Sequence, residues 1–346
     1  MTTAFLGGTG DTIQRGGDAT LISQCTKFLA GAPARLASAI AVLVFAAVVL
    51  GLASAPAATA QPPAFNAEKI AEGDYAHFGQ VALTTPENAG DIANLGIIVG
   101  RDAVAVIDTG GSVQVGRALL DAVRRITDKP VKYVINTHEH PDHVFGNAAF
   151  VGATFVGHHN LPRELRARAA FYLQSFRDQL GPAAIAEVRI ILPTVLVKDT
   201  MELDLGGRKL LLQAWSPPAH TACDLTVLDE RTHVLYSGDL VFLDHIPVID
   251  GSIEGWLALM PRLAAVPAVR VVPGHGRRVG TWPGALADET RYLSVVAADA
   301  RRLIAAGTPL AEAVPNIGQS ERTRWKLFDD YNPRNATAAY TELEWD

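Results

Sequence analysis

Cysteine is nearly missing from this sequence: Cys25 and Cys223 are the two among 346 residues. Cys25 lies in a segment expected to be removed, so the remaining chain has no pair for an intramolecular disulfide. Blocks of one charge are missing too. The formal charge is −6, and 36 acidic and 30 basic residues are interspersed. No stripe of Lys and Arg is available to neutralise phosphates, which excludes nucleic-acid partners. The apolar stretch 39–53 (AIAVLVFAAVVLGLA) stops at 15 residues, short of the roughly 20 that a spanning helix needs.

That stretch follows Lys27 and Arg35 and precedes Ala58-Thr59-Ala60. It reads as a secretory signal with a small-residue cleavage site after Ala60, and an uncleaved anchor extended by the Ala-rich flanks is the alternative. No twin-arginine pair precedes it, so the chain is expected to be exported unfolded and to acquire any metal afterwards. An acidic periplasmic protein is the resulting expectation. The remainder, in a chain that is 49% apolar, is long enough to bury a substantial core. The expected organisation is a signal over 1–60, a Pro/Ala-rich tether over 61–74, one folded domain over 75–306, and a C-terminal helical extension over 307–346 packed on it.

Short apolar runs bounded by turn residues predict strands at 79–84, 94–99, 103–107, 131–135, 153–156, 195–204, 208–215, 224–228, 233–237 and 269–272. Helical spacing of Val113, Leu119, Leu120, Val123 and Ile126 predicts a helix over 112–127, and further helices are predicted over 162–180, 255–265 and 284–306. Strand runs punctuated by helices in both halves predict an α/β architecture of two facing sheets with helices outside. The helix at 162–180 and the segment 319–345 are expected to shape a pocket.

The densest chemistry is Thr137-His138-Glu139-His140-Pro141-Asp142-His143, directly after a predicted strand. His138 and His140 leave the strand toward one metal, while Asp142 and His143 begin a helix and turn toward a second. Imidazole and carboxylate are the ligands zinc takes where it keeps a water. Three more ligand types stand just beyond predicted strand ends: His220, Asp239 and His275. Other candidates are weaker. His77 and His233 read as structural, as do the adjacent His158 and His159 at a helix start, and Cys223 reads as a small buried residue. His245, in a loop leaving the same edge, fits a pocket role or a structural role equally.

These segments, in this order, resemble the metallo-β-lactamase superfamily over roughly residues 75–280. The resemblance implies an αβ/βα sandwich carrying two zinc ions at one edge. Residue by residue it places His138, His140 and His220 on the first zinc, Asp142, His143 and His275 on the second, and Asp239 between them. Water shared by such a pair becomes hydroxide near neutral pH and attacks a polarised carbonyl or phosphoryl group, with Asp142 as the catalytic residue that orients it and passes its proton on. Asp108, in Val-Ile-Asp-Thr-Gly, is implied to brace the ligand loop; a simple turn cap is the alternative. Glu139 is expected to point away.

An acidic residue at Asp239 argues against the zinc β-lactamases. The stretches 136–150, 217–227, 250–257 and 331–345 are similar to the exported quinoprotein relay system zinc metallohydrolases. That resemblance implies a link to periplasmic quinoprotein dehydrogenases. The leading expectation is a zinc hydrolase of a small ester, thioester or lactone; the alternative is a non-hydrolytic accessory protein of such a dehydrogenase system. A complete ligand set favours the hydrolase, because an interaction module has no need of seven ligand residues.

Overall fold

The computed structural model describes residues 65–345; the signal and cleavage expectations fall outside them. Seven strands form the first sheet in chain order: β1 (Glu68–Ala71), β2 (Asp74–His77), β3 (Leu95–Val99), β4 (Val104–Ile107), β5 (Val131–Asn136), β6 (Thr154–His158) and β7 (Val195–Val197). The first four run antiparallel, and β4 to β7 run parallel. Six strands form the second sheet: β8 (Thr200–Asp204), β9 (Lys209–Ala214), β10 (Leu225–Asp229), β11 (Val234–Tyr236), β12 (Arg270–Val272) and β13 (Gly280–Thr281), ordered β13-β12-β11-β10-β9-β8.

The helices are α1 (Val113–Ile126), α2 (Pro141–Val144), α3 (Leu161–Leu180), α4 (Pro182–Ile185), α5 (Ile253–Ala264), α6 (Leu286–Ala305), α7 (Leu310–Ala313) and α8 (Phe328–Leu343). None of the described helices is long and apolar enough to cross a membrane.

Alternation along the strands sorts the side chains into layers, because successive residues of a strand face opposite sides. Ala105 and Ile107 of β4 join Leu210, Leu212, Val227, Val234 and Tyr236 between the sheets. Val104 and Val106 face outward onto Leu119 and Val123 of α1. On the far side, Leu235 of β11 packs with Trp256, Tyr292, Val296 and Tyr340 from α5, α6 and α8. The result is the expected αβ/βα sandwich. A buried ion cluster ties its sheets together: Arg208 donates to Asp74 of β2 at 2.8 Å and to Asp229 of β10.

Some local expectations differ from the structure. Residues 79–84 form no strand. Gly79 gives its N–H to the Asn94 side chain and Gln80 gives its own to Asp91 O, so loop contacts take the place of a ladder. The first hairpin, β1 with β2, lies partly within the stretch read as tether; its short, polar strands carried too weak a pattern to be read. The run 195–204 breaks at Lys198-Asp199 into β7 and β8, which belong to different sheets. The C-terminal residues Phe328, Ala336, Ala339, Tyr340 and Leu343 belong to the same apolar cluster as Trp256 and Tyr292.

Candidate metal centre

β5 of the first sheet and the parallel pair β11 and β12 of the second deliver the residues that follow them to one site, and the loop entering β10 reaches the same site. His138, His140, Asp142 and His143 follow β5, Asp239 follows β11, His275 follows β12, and His220 lies between β9 and β10. Residues far apart in sequence therefore converge. The inward nitrogens of His138, His140 and His220 form a triangle with sides of 3.1, 3.0 and 3.3 Å. Asp142 Oδ2 lies 3.3 Å from His275 Nε2 and 3.6 Å from His143 Nε2. Asp239 touches both groups, with Oδ1 at 3.2 Å from His143 Nε2 and Oδ2 at 3.4 Å from His220 Nε2 and 3.3 Å from His275 Nε2. Two constellations build the centre, His138-His140-His220-Asp239 and Asp142-His143-His275, each with its ligand atoms within 4.8 Å of one another; a third grouping, Glu139-His140-Asp250, shares His140.

The outer nitrogens decide what the inner ones can be. His220 Nδ1 donates to Val248 O at 2.7 Å and His275 Nδ1 to Ile92 O at 3.0 Å. His143 Nδ1 donates to Asp108 Oδ2 at 2.8 Å and His140 Nε2 to Asp250 Oδ2 at 3.0 Å. His138 Nδ1 donates to Thr137 Oγ1 at 3.0 Å, whose own hydroxyl proton goes to Asp108 at 2.6 Å. Each neutral imidazole thus turns a lone pair inward. Five lone pairs and two carboxylates meet with no protein donor among them, and His143 Nε2 and Asp239 Oδ1 are buried without a hydrogen bond. Such a set fits cations, and its nitrogen and oxygen donors suit zinc.

Without cations the same groups compete for protons. Burial opposes charge on His143 and His275, but Asp239 and Asp142 outweigh it, holding His143 well above its usual value and His275 up to about 9. Burial dominates at His220, pushed down to about 3, and at His138, which also moves down. Asp239, despite burial, is held well below the usual carboxylate range by His275, His143 and His138.

Backbone and neighbours fix this geometry. Asp108 sits at φ 56°, a conformation uncommon outside glycine, and accepts from Thr137 N at 2.8 Å, Thr137 Oγ1 and His143 Nδ1. It braces the ligand loop from behind. A Cβ at Gly274 would lie 1.9 Å from Asp239 Oδ1, so only glycine leaves room for that carboxylate.

Glu139 points away, as expected, and accepts the Cys223 thiol at 2.9 Å. Cys223 is buried, but it is also a hydrogen-bond donor. His245 is 2% exposed and lines the cavity beside the ligand His275, with ring centroids 5.0 Å apart; burial pushes its pKa down to about 4. His77 pairs with Asp91, His233 with Pro267 O, and His158 and His159 stack on each other and join neither the ligand groups nor the cavity lining.

Above the ligands opens a cavity of about 540 Å³. One face of α3 supplies Arg168, Phe171, Tyr172 and Phe176, and α8 supplies Tyr331 and Arg334. The two segments expected to shape a pocket do so. Asp250 and Arg334 lie in stretches that carry the resemblance and Arg168 lies in the helix expected to shape the pocket, but nothing local gives any of them a role; only the fold brings Asp250 to His140.

Residues 89–275 match the family described as the Metallo-beta-lactamase superfamily. A linear primary-alkylsulfatase of a Pseudomonas species is 26% identical over 220 residues, 53% of this chain and 41% of that protein. This chain therefore spans about two fifths of the length of that curated relative. Among solved structures, a stereoselective inverting sec-alkylsulfatase from Pseudomonas sp. has a TM-score of 0.62 at 15% identity, covering 80% of this chain and 50% of that one. A metallo-beta-lactamase from Pontibacter korlensis has a TM-score of 0.52 at 21% identity, covering 66% and 98%. At these identities both similarities describe the fold.

Proposed function

The chain belongs to the metallo-beta-lactamase superfamily, and we propose that it is an exported hydrolase that binds two zinc ions and cleaves a small ester, thioester or lactone. One observation carries the reading: every candidate imidazole spends its outer nitrogen on a protein acceptor and turns its inner lone pair to a point shared with Asp142 or Asp239. Zinc held there would lower the pKa of a water molecule and withdraw charge from the scissile oxygen.

The protein's own residues do the rest. Asp142 is only partly buried and faces the cavity, so it can orient a nucleophile and carry its proton to the leaving group. Asp239, charged and fully enclosed, offsets positive charge on both ligand groups. Helices α3 and α8 roof the site and limit access of water to the reacting groups. The signal-like run at 39–53 supports export to the periplasm. The similarity of 136–150, 217–227, 250–257 and 331–345 to the quinoprotein relay hydrolases supports a role beside periplasmic dehydrogenases.

A second reading, hydrolysis of a sulfate ester, is favoured by the alkylsulfatase relative. The test is a hydrolysis screen of zinc-loaded protein against thioesters, lactones, carboxylic esters, alkyl sulfates and β-lactams. Turnover of one of the first three classes supports the proposal, alkyl sulfates alone favour the second reading, and inactivity toward all five overturns both in favour of an accessory role.

A further inference from the structure

Two arginines enter the cavity from different helices and belong to no ligand group. Arg334 Nη2 on α8 donates to Asp250 Oδ1 at 2.7 Å, and Arg168 Nη1 on α3 donates to Asp250 Oδ2. The same Oδ2 accepts His140 Nε2–H at 3.0 Å. Asp250 therefore fixes both guanidinium groups one imidazole away from the lone pair that His140 turns toward the metal site.

On the cavity side a single carboxylate, Asp250, faces both guanidinium groups. A second acid, Glu139, lies 4.0 Å from Arg168 Nε; it is 1% exposed and accepts the Cys223 thiol, so it balances charge on Arg168 without occupying the donors that face the cavity. A guanidinium carries five N–H donors. Arg334 gives one nitrogen to Asp250 and is 53% exposed; Arg168 divides Nη1 between Asp250 and Tyr172 and is 38% exposed. Donors of both therefore remain open to the cavity. Beside them lies apolar surface that the chain leaves uncovered on Phe171, which is 71% exposed, while the edges of the buried Phe176 and Val248 line the same cavity.

Building on the hydrolase reading, we propose that Arg168 and Arg334 recognise an anionic group on the substrate. The molecule cleaved is then a small ester or lactone whose negative charge lies a few bonds from the scissile bond and whose apolar part rests on Phe171 and Phe176. A planar fork of donors on each side suits a carboxylate or sulfonate. The single imidazole between arginines and ligand cluster limits the spacing to a short molecule.

The direct test is calorimetric titration of the purified chain, zinc-free and zinc-loaded, with butanesulfonate, a monoanion and a weak zinc ligand, alongside neutral 1-butanol. Butanesulfonate is expected to bind both forms and 1-butanol neither. Arg334→Gln and Arg168→Gln should each weaken binding roughly 10- to 100-fold, the range for losing a hydrogen bond to a charged group, while Arg301→Gln on α6 should not. Arg334 is exposed enough that its variant tests the site even if Arg168→Gln misfolds.

Unaltered binding by Arg334→Gln, or no binding by the wild type, overturns the anion site. On zinc-loaded enzyme, kcat/KM should favour mono-p-nitrophenyl succinate over p-nitrophenyl acetate, and that ratio should fall about 10-fold in Arg334→Gln. Sulfonate binding without turnover of either ester counts against ester hydrolysis and leaves the anion site standing. Turnover of both esters without sulfonate binding does the reverse.

Discussion

Asp108→Asn isolates the brace behind the ligand loop while disturbing little else. Asn occupies the φ 56° conformation as readily as Asp, so the backbone has no reason to move. The chemistry is what changes. Oδ1 accepts from Thr137 N at 2.8 Å, and Oδ2 accepts from Thr137 Oγ1 at 2.6 Å and His143 Nδ1 at 2.8 Å. An amide offers one oxygen for these three donors. With its nitrogen at the Oδ2 position, it opposes the His143 N–H. The imidazole then shifts its proton to Nε2 and cancels the inward lone pair. With the amide flipped, its N–H opposes Thr137 N, which has no alternative.

The first placement loses hydrogen bonds to a charged group, and the flipped one also buries Thr137 N unpaired, a cost to the metal-free protein of roughly 2–5 kcal/mol. Zinc affinity should fall about 10- to 100-fold, as for other residues that orient metal ligands. Urea unfolding of metal-free protein measures the first effect, and competition with a chromophoric chelator measures the second. Zinc affinity within twofold of wild type, with an unshifted urea midpoint, would refute the bracing role.

Other outcomes follow from the same geometry. His158 Nδ1 accepts Asn160 N–H at 3.0 Å, and burial pushes its pKa down to about 4 from an ordinary 6.5. Its stabilisation should be complete above pH 6.5, fall as pH drops toward 4 and stay flat below; metal-free wild type should therefore lose Tm over that window more steeply than His158→Gln, and parallel curves would contradict it. Arg208→Met leaves Asp74 and Asp229 buried without their guanidinium. It should cost about 3–5 kcal/mol in urea unfolding without changing zinc content. Burial raises Asp74 to about 7, so the loss should be larger at pH 8 than at pH 5, where that carboxyl keeps its proton. Deleting 328–345 removes Phe328, Ala336, Ala339, Tyr340 and Leu343 from a core cluster and should give insoluble or molten protein; a cooperative, near-wild-type melt would show that α8 is dispensable.

The candidate ligands were legible because metal chemistry compresses such residues into a short motif and into strand ends, where turn residues mark the sites. His138 through His143 lie in one loop, and the single residues His220, Asp239 and His275 each follow a recognisable turn. Asp250 was not legible. It opens the stretch 250–257 that carries the resemblance, but nothing there marks it as a partner of a metal ligand, and its role exists only because the loop before α5 folds back onto His140. The same holds for Arg168 and Arg334, two among many helical arginines until α3 and α8 meet over the cavity. In the fold, buried alternating strands were read within a residue or two. The short edge hairpin β1–β2 was not, and the apolar run at 79–84 was misread as a strand, because edge pairing and loop packing depend on partners rather than periodicity.

Zinc content of the purified protein and two variants tests the central claim most directly. After metal-free purification, titration and elemental analysis should give close to two zinc ions per chain for the wild type. Asp239→Asn nearly preserves volume but removes the one carboxylate that reaches both ligand groups, so it should lose the second ion, with an affinity drop beyond the roughly 100-fold of supporting residues. Cys223→Ser keeps a donor toward Glu139 and should retain both ions. Saturation of the wild type at one ion or none, or an Asp239→Asn protein that keeps two zincs while Cys223→Ser loses one, would contradict the proposed binuclear site.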